Sequence, residues 1–168
     1  HNEKNAAVAA AMATALGVPV SAIADAIARY PGLPPRQQRV AVVAGIEFVN
    51  DSKATNADAA APALSCYDRL IWIAGGVAKA GGIASLAPYF PRIAKAFLIG
   101  RDGADFAATL EAAGVAHENV ATLDRAAPAA FAAARQMDVS VVLLSPAAAS
   151  FDQFSGFEAR GTHFATLV

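Results

Sequence analysis

The sequence is poor in cysteine, histidine and charged residues, and each scarcity limits what the chain can be. Its 168 residues contain one cysteine, Cys66, so no disulfide can form within it, and a lone thiol is compatible with a reducing, cytoplasmic location. Three histidines are scattered along the chain, so no metal site is predicted. Lys and Arg total 13 against 14 Asp and Glu and form no cluster, so no nucleic-acid partner is predicted.

Long apolar runs and a nucleotide loop are also missing from the sequence. No run approaches the roughly 20 apolar residues that span a bilayer, so no membrane span is predicted. The chain opens on His1 without an initiator Met, so we expect a segment of a longer protein, whose targeting these residues do not reveal. The pattern G-x-x-x-x-G-K-[ST], which cradles nucleotide phosphates, does not occur. What is abundant is apolar residues, 56% of the total, enough to build a core.

Two regions of different pattern follow one another along the chain. Residues 2–16 are rich in alanine and precede Gly17, and apolar residues then recur at helical spacing up to Tyr30, which predicts two helices. Residues 31–35, Pro-Gly-Leu-Pro-Pro, must break the second helix and predict a domain boundary. The predicted parts are residues 1–32, a linker of residues 33–39, and residues 40–168.

Beyond the linker, short apolar runs alternate with helical segments. The alternation predicts an α/β fold with a mostly parallel, six-stranded, Rossmann-like sheet, helices on both faces and one antiparallel edge at the opening hairpin. Asp124 is the predicted cap of one helix. The predicted strands are residues 40–43, 47–49, 70–74, 96–99, 115–122 and 139–144. The predicted helices are residues 56–66, 103–113, 124–136 and the last dozen residues.

Three polar loops directly follow predicted strands, the position at which open α/β sheets bind ligands. Lys53 and Lys79 supply positive charge, and Thr55, Ser145 and Ser150 supply hydroxyl donors. A helix that starts near Asn56 or after Ser150 would present free N–H groups to an anion. The loops, residues 50–56, 75–82 and 145–154, therefore predict a site for a small anionic ligand. Plainer interpretations stay open: a solvated turn at Lys79, a turn or helix cap at residues 51–52, and a strand end at residues 145–146.

Taken together, these motifs resemble the Mur ligase family, and the resemblance follows the whole chain in order. It is carried by Asn-Asp-Ser-Lys-Ala-Thr-Asn at residues 50–56, Gly-Gly at residues 75–76 followed by Lys79, Leu-Ser-Pro-Ala at residues 144–147 with Ser-Phe-Asp-Gln-Phe at residues 150–154, and Phe157-Glu158 with Arg160-Gly161. His1-Asn2 with Asn5 resembles the end of the family's central ATP-binding domain. Within the family, the motifs favour members that add D-glutamate to UDP-N-acetylmuramoyl-L-alanine. The resemblance implies that residues 1–32 end a central ATP-binding domain and residues 40–168 form the carboxy-terminal, amino-acid-binding domain.

The resemblance also implies a reaction and a set of contacts. ATP phosphorylates the carboxylate of the UDP-linked L-alanine, and the amine of D-glutamate attacks the acyl phosphate. ATP and Mg²⁺ are the implied cofactors. The phosphate loop, the Mg²⁺ ligands and most contacts to UDP-N-acetylmuramoyl-L-alanine are expected upstream, and no catalytic residue is assigned in this segment. The implied D-glutamate contacts are Thr55, Lys79, Ser150, Phe151 and Phe157. The implied nucleotide contacts are Asn2, Asn5, Arg36, Asp51 and Lys53.

Two positions depart from the family pattern, and two other functions stay open. Pro35 stands where a histidine is common, and Ala148 where a cysteine is common, and neither lost side chain belongs to the implied chemistry. One alternative is another ligase of the superfamily, which adds a diamino acid or extends folate with glutamate. The Asp-Asn-Pro-Arg motif expected of the diamino-acid ligase does not occur. The other alternative is a non-catalytic α/β module that binds an anionic metabolite.

Overall fold

The computed structural model describes residues 2–30 and 35–168, and the chain divides into two compact units, His1–Leu33 and Pro34–Val168. The first unit holds two helices, α1 (Asn2–Ala15) and α2 (Val20–Arg29). Val8, Met12 and Leu16 recur every four residues and are 60%, 64% and 83% exposed, so one stripe along α1 is apolar and uncovered in this unit.

The second unit is built around one six-stranded sheet with the strand order β1-β2-β6-β3-β4-β5. Only β1 and β2 pair antiparallel; every other neighbouring pair is parallel. The strands are β1 (Gln38–Val43), β2 (Ile46–Asn50), β3 (Leu70–Gly75), β4 (Ile93–Ile99), β5 (His117–Ala121) and β6 (Val141–Leu144). The helices are α3 (Ala57–Ser65), α4 (Gly103–Ala112), α5 (Leu123–Gln136) and α6 (Phe157–Leu167), with a 3₁₀-helix at Ala84–Arg92. The α/β class, the single antiparallel edge and the mostly parallel sheet are as predicted.

Helices cover both faces of the sheet, because side chains alternate along each strand. Trp72 is fully buried on the face that packs against α3, α4 and the 3₁₀-helix, and its Nε1 donates to the carbonyl of Ser145 at 2.8 Å. Ile71 and Ile73 lie on the other face, against α5 and α6. Strands such as β3 are buried on both sides, which is why they read as continuous apolar runs in the sequence.

Several local predictions were wrong. Thr122, not Asp124, occupies the cap position of α5, and Asp124 lies in the first turn, where its Oδ1 is 3.0 Å from Nε2 of His163. The helix expected after Ser150, α6, does not follow it directly: the carbonyl of Ser150 accepts from the N–H groups of residues 153 and 154 in a turn, and α6 begins at Phe157. The 3₁₀-helix at Ala84–Arg92 was not predicted; it contains Pro88 and Pro91, a residue type that ordinarily interrupts helices. Of the predicted linker, residues 33 and 34 lie outside the described residues, and β1 begins at Gln38.

Candidate functional site

The three polar loops meet at one end of the sheet. They follow β2, β6 and β3, which are neighbours and parallel, so their carboxyl ends lie side by side. The N–H of Asp51 donates to the carbonyl of Leu144 at 2.7 Å, and Ser145 Oγ donates to Asp51 Oδ2 at 2.7 Å. The N–H of Gly75 donates to the carbonyl of Pro146 at 2.8 Å. The convergence predicted from the sequence is therefore present.

Close backbone contact joins the loops after β3 and β6. Val77 and Ala149 exchange two main-chain hydrogen bonds, at 2.8 Å and 2.9 Å. Gly76, which directly precedes Val77, has φ +131°, and a Cβ on it would lie 2.1 Å from the carbonyl oxygen of Ala149. Only glycine permits this approach. No such close approach occurs at Gly81, after Lys79, because a Cβ there would meet no atom within 4 Å.

A buried arginine on α6 ties all three loops together. Arg160 is 1% exposed. Its Nε donates to Ser52 Oγ at 2.9 Å, and its Nη2 donates to the carbonyls of Ser52 at 2.9 Å and Ala148 at 3.0 Å; a longer bond of 3.5 Å runs from Nη1 to the carbonyl of Gly75. Burial lowers the pKa of the guanidinium to about 10, so it stays protonated at neutral pH. The guanidinium carries five N–H groups in one plane, so a single arginine side chain can bond to all of these acceptors.

Asp51 is buried where the loops after β2 and β6 meet. It is 6% exposed, and its Oδ1 accepts from the N–H of Gln37 at 3.2 Å while Oδ2 accepts from Ser145. Burial raises the pKa of this carboxyl to about 6, against the lowering effect of those two bonds and of the charge of Arg36. Each oxygen of the carboxylate is therefore already bonded within the protein.

The five residues implied as D-glutamate contacts all lie on these loops or on the first residue of α6. Lys79 and Phe151 are exposed, Phe151 by 75%, while Thr55 and Phe157 are half-buried. Ser150 is 2% exposed, and its Oγ has no hydrogen-bond partner within the described part of the chain. It lines a gap too narrow to admit a water molecule, together with Gly76, Arg160 and neighbouring loop residues. A buried hydroxyl without a partner is uncommon and marks this point as a candidate for a ligand contact.

The five residues implied as nucleotide contacts are distributed over both units. Asn2 opens α1, Asn5 is exposed on the same helix, and Arg36 is exposed just before β1. Asp51 is the buried carboxylate described above. Lys53 is half-buried, and its Nζ lies 3.8 Å from the ring centroid of Phe157, one of the implied D-glutamate contacts, in a cation–π contact.

The chemistry of this end of the sheet favours an anion. Lys53 and Lys79 bring positive charge to this end, and α3, α4 and α6 begin here with N–H groups in their first turns that can face an anion, beside the acidic residues Asp58, Asp105 and Glu158. Among the described residues, no group of three His, Cys, Asp or Glu side chains is placed to hold a metal ion. No helix in residues 2–30 or 35–168 combines the length and apolar character needed to cross a bilayer.

Arg160, Ser52 and Asp102 are functional candidates that sequence reasoning gave no role. Ser52 Oγ accepts from Arg160 and donates to the carbonyl of Phe157 at 2.8 Å, and Asp102 Oδ2 accepts from the N–H of Ala78 at 2.7 Å. In the sequence, Arg160 is one member of a motif, and Ser52 lies in a predicted turn or helix cap. Arg160 and Ser52 are 108 positions apart in the sequence. No local pattern shows that two such distant residues are buried and bonded to each other rather than exposed at the surface.

Known proteins resemble this chain in both sequence and fold. Over 170 residues it is 57% identical to a protein of Rhizobium etli, and 52% identical to one of Caulobacter vibrioides, each named UDP-N-acetylmuramoylalanine–D-glutamate ligase. Both matches cover 100% of the chain but 36% of the relative, so the chain spans about a third of the length of these curated relatives. The crystal structure of UDP-N-acetylmuramate-alanine ligase from Thermotoga maritima shares the fold, with a TM-score of 0.68 at 15% identity over 99% of this chain and 37% of that one.

A family model gives the assignment directly. The model described as "Mur ligase, glutamate ligase domain" matches residues 35–148, which include the ends of β2, β3 and β6 and most of the residues that meet there. The chain belongs to the Mur ligase family, through its glutamate ligase domain.

Proposed function

We propose that this chain is the carboxy-terminal part of an ATP-dependent ligase that adds D-glutamate to UDP-N-acetylmuramoyl-L-alanine in peptidoglycan precursor synthesis. The observation that carries the proposal is the meeting of the loops after β2, β3 and β6, which brings Lys53, Lys79 and the unpartnered Ser150 hydroxyl to one end of the sheet. The names of the relatives at 57% and 52% identity support the choice of substrate.

The role proposed for these residues is to bind and orient the amino acid. Lys79 and the hydroxyls of Thr55 and Ser150 hold the carboxylates of D-glutamate, and Phe151 and Phe157 wall the pocket. ATP supplies the phosphoryl group that activates the carboxylate of UDP-N-acetylmuramoyl-L-alanine. The amine of the D-glutamate bound at these loops then forms the amide with that activated carboxyl group, and phosphate leaves. Catalysis by this domain is therefore positioning: a fixed amine meets the activated carboxyl group without a random search.

The nucleotide and its Mg²⁺ are proposed to bind mainly to segments upstream. Asn2, Asn5, Arg36 and Asp51 are the contacts that this chain would add, and Lys53 joins them or stays with Phe157. We assign residues 1–32 to the end of the ATP-binding domain.

Substitution of Lys79 tests the substrate assignment. A charge-assisted hydrogen bond is worth roughly 1.5–3 kcal/mol, so Lys79→Ala in the full-length ligase should weaken D-glutamate use by about 10- to 150-fold and leave the use of ATP nearly unchanged. Lys95→Ala is the matched control, because Lys95 pairs with Glu118 on neighbouring strands. Steady-state kinetics with each substrate varied separately give the result. Unchanged D-glutamate kinetics would mean that Lys79 is a solvated turn residue.

Two further measurements test the reaction class. The isolated 168-residue chain should not hydrolyse ATP, and enzyme-like turnover by it would contradict the proposed domain assignment. Titration with D-glutamate, L-glutamate and diaminopimelate separates this ligase from others of the family. A phosphate-loop motif in the upstream sequence would separate any ligase from a non-catalytic binding module.

A further inference from the structure

The turn after β4 carries none of the implied ligand contacts, yet it is bonded to two of the loops that do. The N–H of Asp102 donates to the carbonyl of Gly76 at 3.0 Å, and Asp102 Oδ2 accepts from the N–H of Ala78 at 2.7 Å. Beside it, the N–H of Arg101 donates to Asp152 Oδ2 at 2.8 Å. One turn therefore fastens the segment before Lys79 and the loop that follows Ser150.

The carboxylate of Asp102 is turned away from its own helix. Asp102 occupies the cap position of α4, where an aspartate ordinarily accepts a hydrogen bond from the first helical turn, but its side chain makes no such bond. Its Oδ2 takes the N–H of Ala78, and its Oδ1 accepts from Arg101 Nε at 3.0 Å. The side chain of Asp102 is 20% exposed and that of Arg101 is 63% exposed, so the arginine covers the pair from the solvent side.

The segment that leads to Lys79 is bonded on both of its edges. Gly75 and Val77 bond to the loop after β6, whereas Gly76 and Ala78 bond to Asp102, so the partners alternate as they do along a central strand. Lys79 comes next, with an exposed side chain, and its carbonyl accepts from the N–H of Gly82 at 3.0 Å. The bond from Ala78 to Asp102 is thus the last anchor before the lysine.

We propose that Asp102 is a positioning residue for Lys79, and through it for a carboxylate of the amino-acid substrate. The proposal rests on the function proposed above for Lys79. Asp102 touches neither substrate nor nucleotide; it fixes the main chain from which the lysine side chain extends. Without this anchor, the ammonium group samples a wider volume and spends less time where the carboxylate binds.

Three variants of the full-length ligase test this role. Asp102→Ala should raise the KM for D-glutamate about tenfold while the KM for ATP changes less than about twofold, because misplacement of a binding group weakens only the contact that it makes. Asp102→Asn should restore the KM to within about threefold, because its amide oxygen still accepts from the N–H of Ala78. Asp105→Ala, an exposed aspartate in the first turn of the same helix, is the charge-matched control and should leave both constants unchanged. Equal D-glutamate kinetics in Asp102→Ala and Asp105→Ala would overturn the proposal.

Amide hydrogen exchange in the 168-residue chain tests the anchor without any substrate. The N–H of Ala78 should exchange about ten times faster or more in Asp102→Ala than in the parent chain and remain protected in Asp105→Ala, since a local opening then exposes it. Unchanged protection at Ala78 would overturn the proposal whatever the substrate. If the parent ligase did not use D-glutamate at all, the proposed function would fail, and the exchange result alone would decide whether Asp102 holds the Lys79 segment.

Discussion

Loss of the Arg160 guanidinium should be one of the most damaging single changes in the second unit. The guanidinium makes three hydrogen bonds of 2.9–3.0 Å to groups of Ser52 and Ala148. Arg160→Met keeps most of the side-chain volume but donates no hydrogen bond, so it leaves two carbonyls and one hydroxyl short of a donor. At roughly 1–1.5 kcal/mol for each bond lost, the unfolding free energy should fall by about 3–5 kcal/mol.

The expected loss is large enough to measure by two independent methods. An unfolding entropy of about 2 cal/mol/K per residue converts 3–5 kcal/mol into a Tm decrease of roughly 11–18 °C for a unit of this size. Urea unfolding followed by the fluorescence of Trp72 reports on the same unit, because this tryptophan is fully buried in its core. It is also the only tryptophan in the sequence.

Two companion variants separate hydrogen bonding from charge and general damage. Arg160→Lys keeps the charge but cannot reach all the acceptors with one ammonium group. Its free energy of unfolding should therefore lie between that of the parent and that of Arg160→Met. Arg125→Ala removes an exposed arginine from α5 and should change stability by less than about 0.5 kcal/mol. A loss below about 1 kcal/mol in Arg160→Met would refute the reasoning, because the burial cost of the charge would then offset its hydrogen bonds.

Two further changes have expected outcomes. The pKa of Asp51 is raised from 3.8 to about 6, so the folded chain binds a proton on this carboxyl more tightly than the unfolded chain does. Protonation of Asp51 therefore stabilises the fold fully below about pH 4, and this stabilisation is lost as the pH rises through 6. Asp51→Asn should remove this dependence and raise the stability at pH 8 by up to about 3 kcal/mol, which urea unfolding at pH 5 and pH 8 would check; an unchanged pH slope would contradict it. Gly76→Ala should lower the free energy of unfolding by more than about 3 kcal/mol, because the new Cβ would meet the Ala149 carbonyl. Gly114→Ala is the control: Gly114 also has a positive φ, but its Cβ would meet no atom within 4 Å, so the loss should be about 1–2 kcal/mol. Equal melting temperatures of the two variants would contradict this prediction.

Much of the fold was predictable because its determinants are local in sequence. Strands such as β3 and β6 are buried on both faces, so they appear as short apolar runs that end at a glycine or at Ser145. Since β2, β6 and β3 run parallel and side by side, polar residues that follow each strand had to meet. This is why the positions of Lys53, Lys79 and Ser150 could be anticipated.

The rest depends on contacts that no local pattern records. Arg160 looks like any polar residue near the start of a helix, and its burial follows only from the packing of α6 over the three loops. Asp102 at a helix start predicts an ordinary cap, yet its carboxylate is used by Ala78 on another loop. The cap of α5 was misplaced for a related reason, because the carboxylate of Asp124 interacts with His163 across to α6.

The Lys79 loop is fastened almost entirely through main-chain amides and carbonyls, and this has a consequence for how substrate selectivity can evolve. Val77 and Ala149 bond through groups that every residue except proline possesses, so their partnership survives most changes of side chain. Lys79 and Phe151 are exposed and displayed from a backbone that does not depend on their identity. Under the function proposed above, a descendant of this domain can replace them one at a time to suit a different amino acid, while Asp102 and Arg160 hold the backbone of the loops in place.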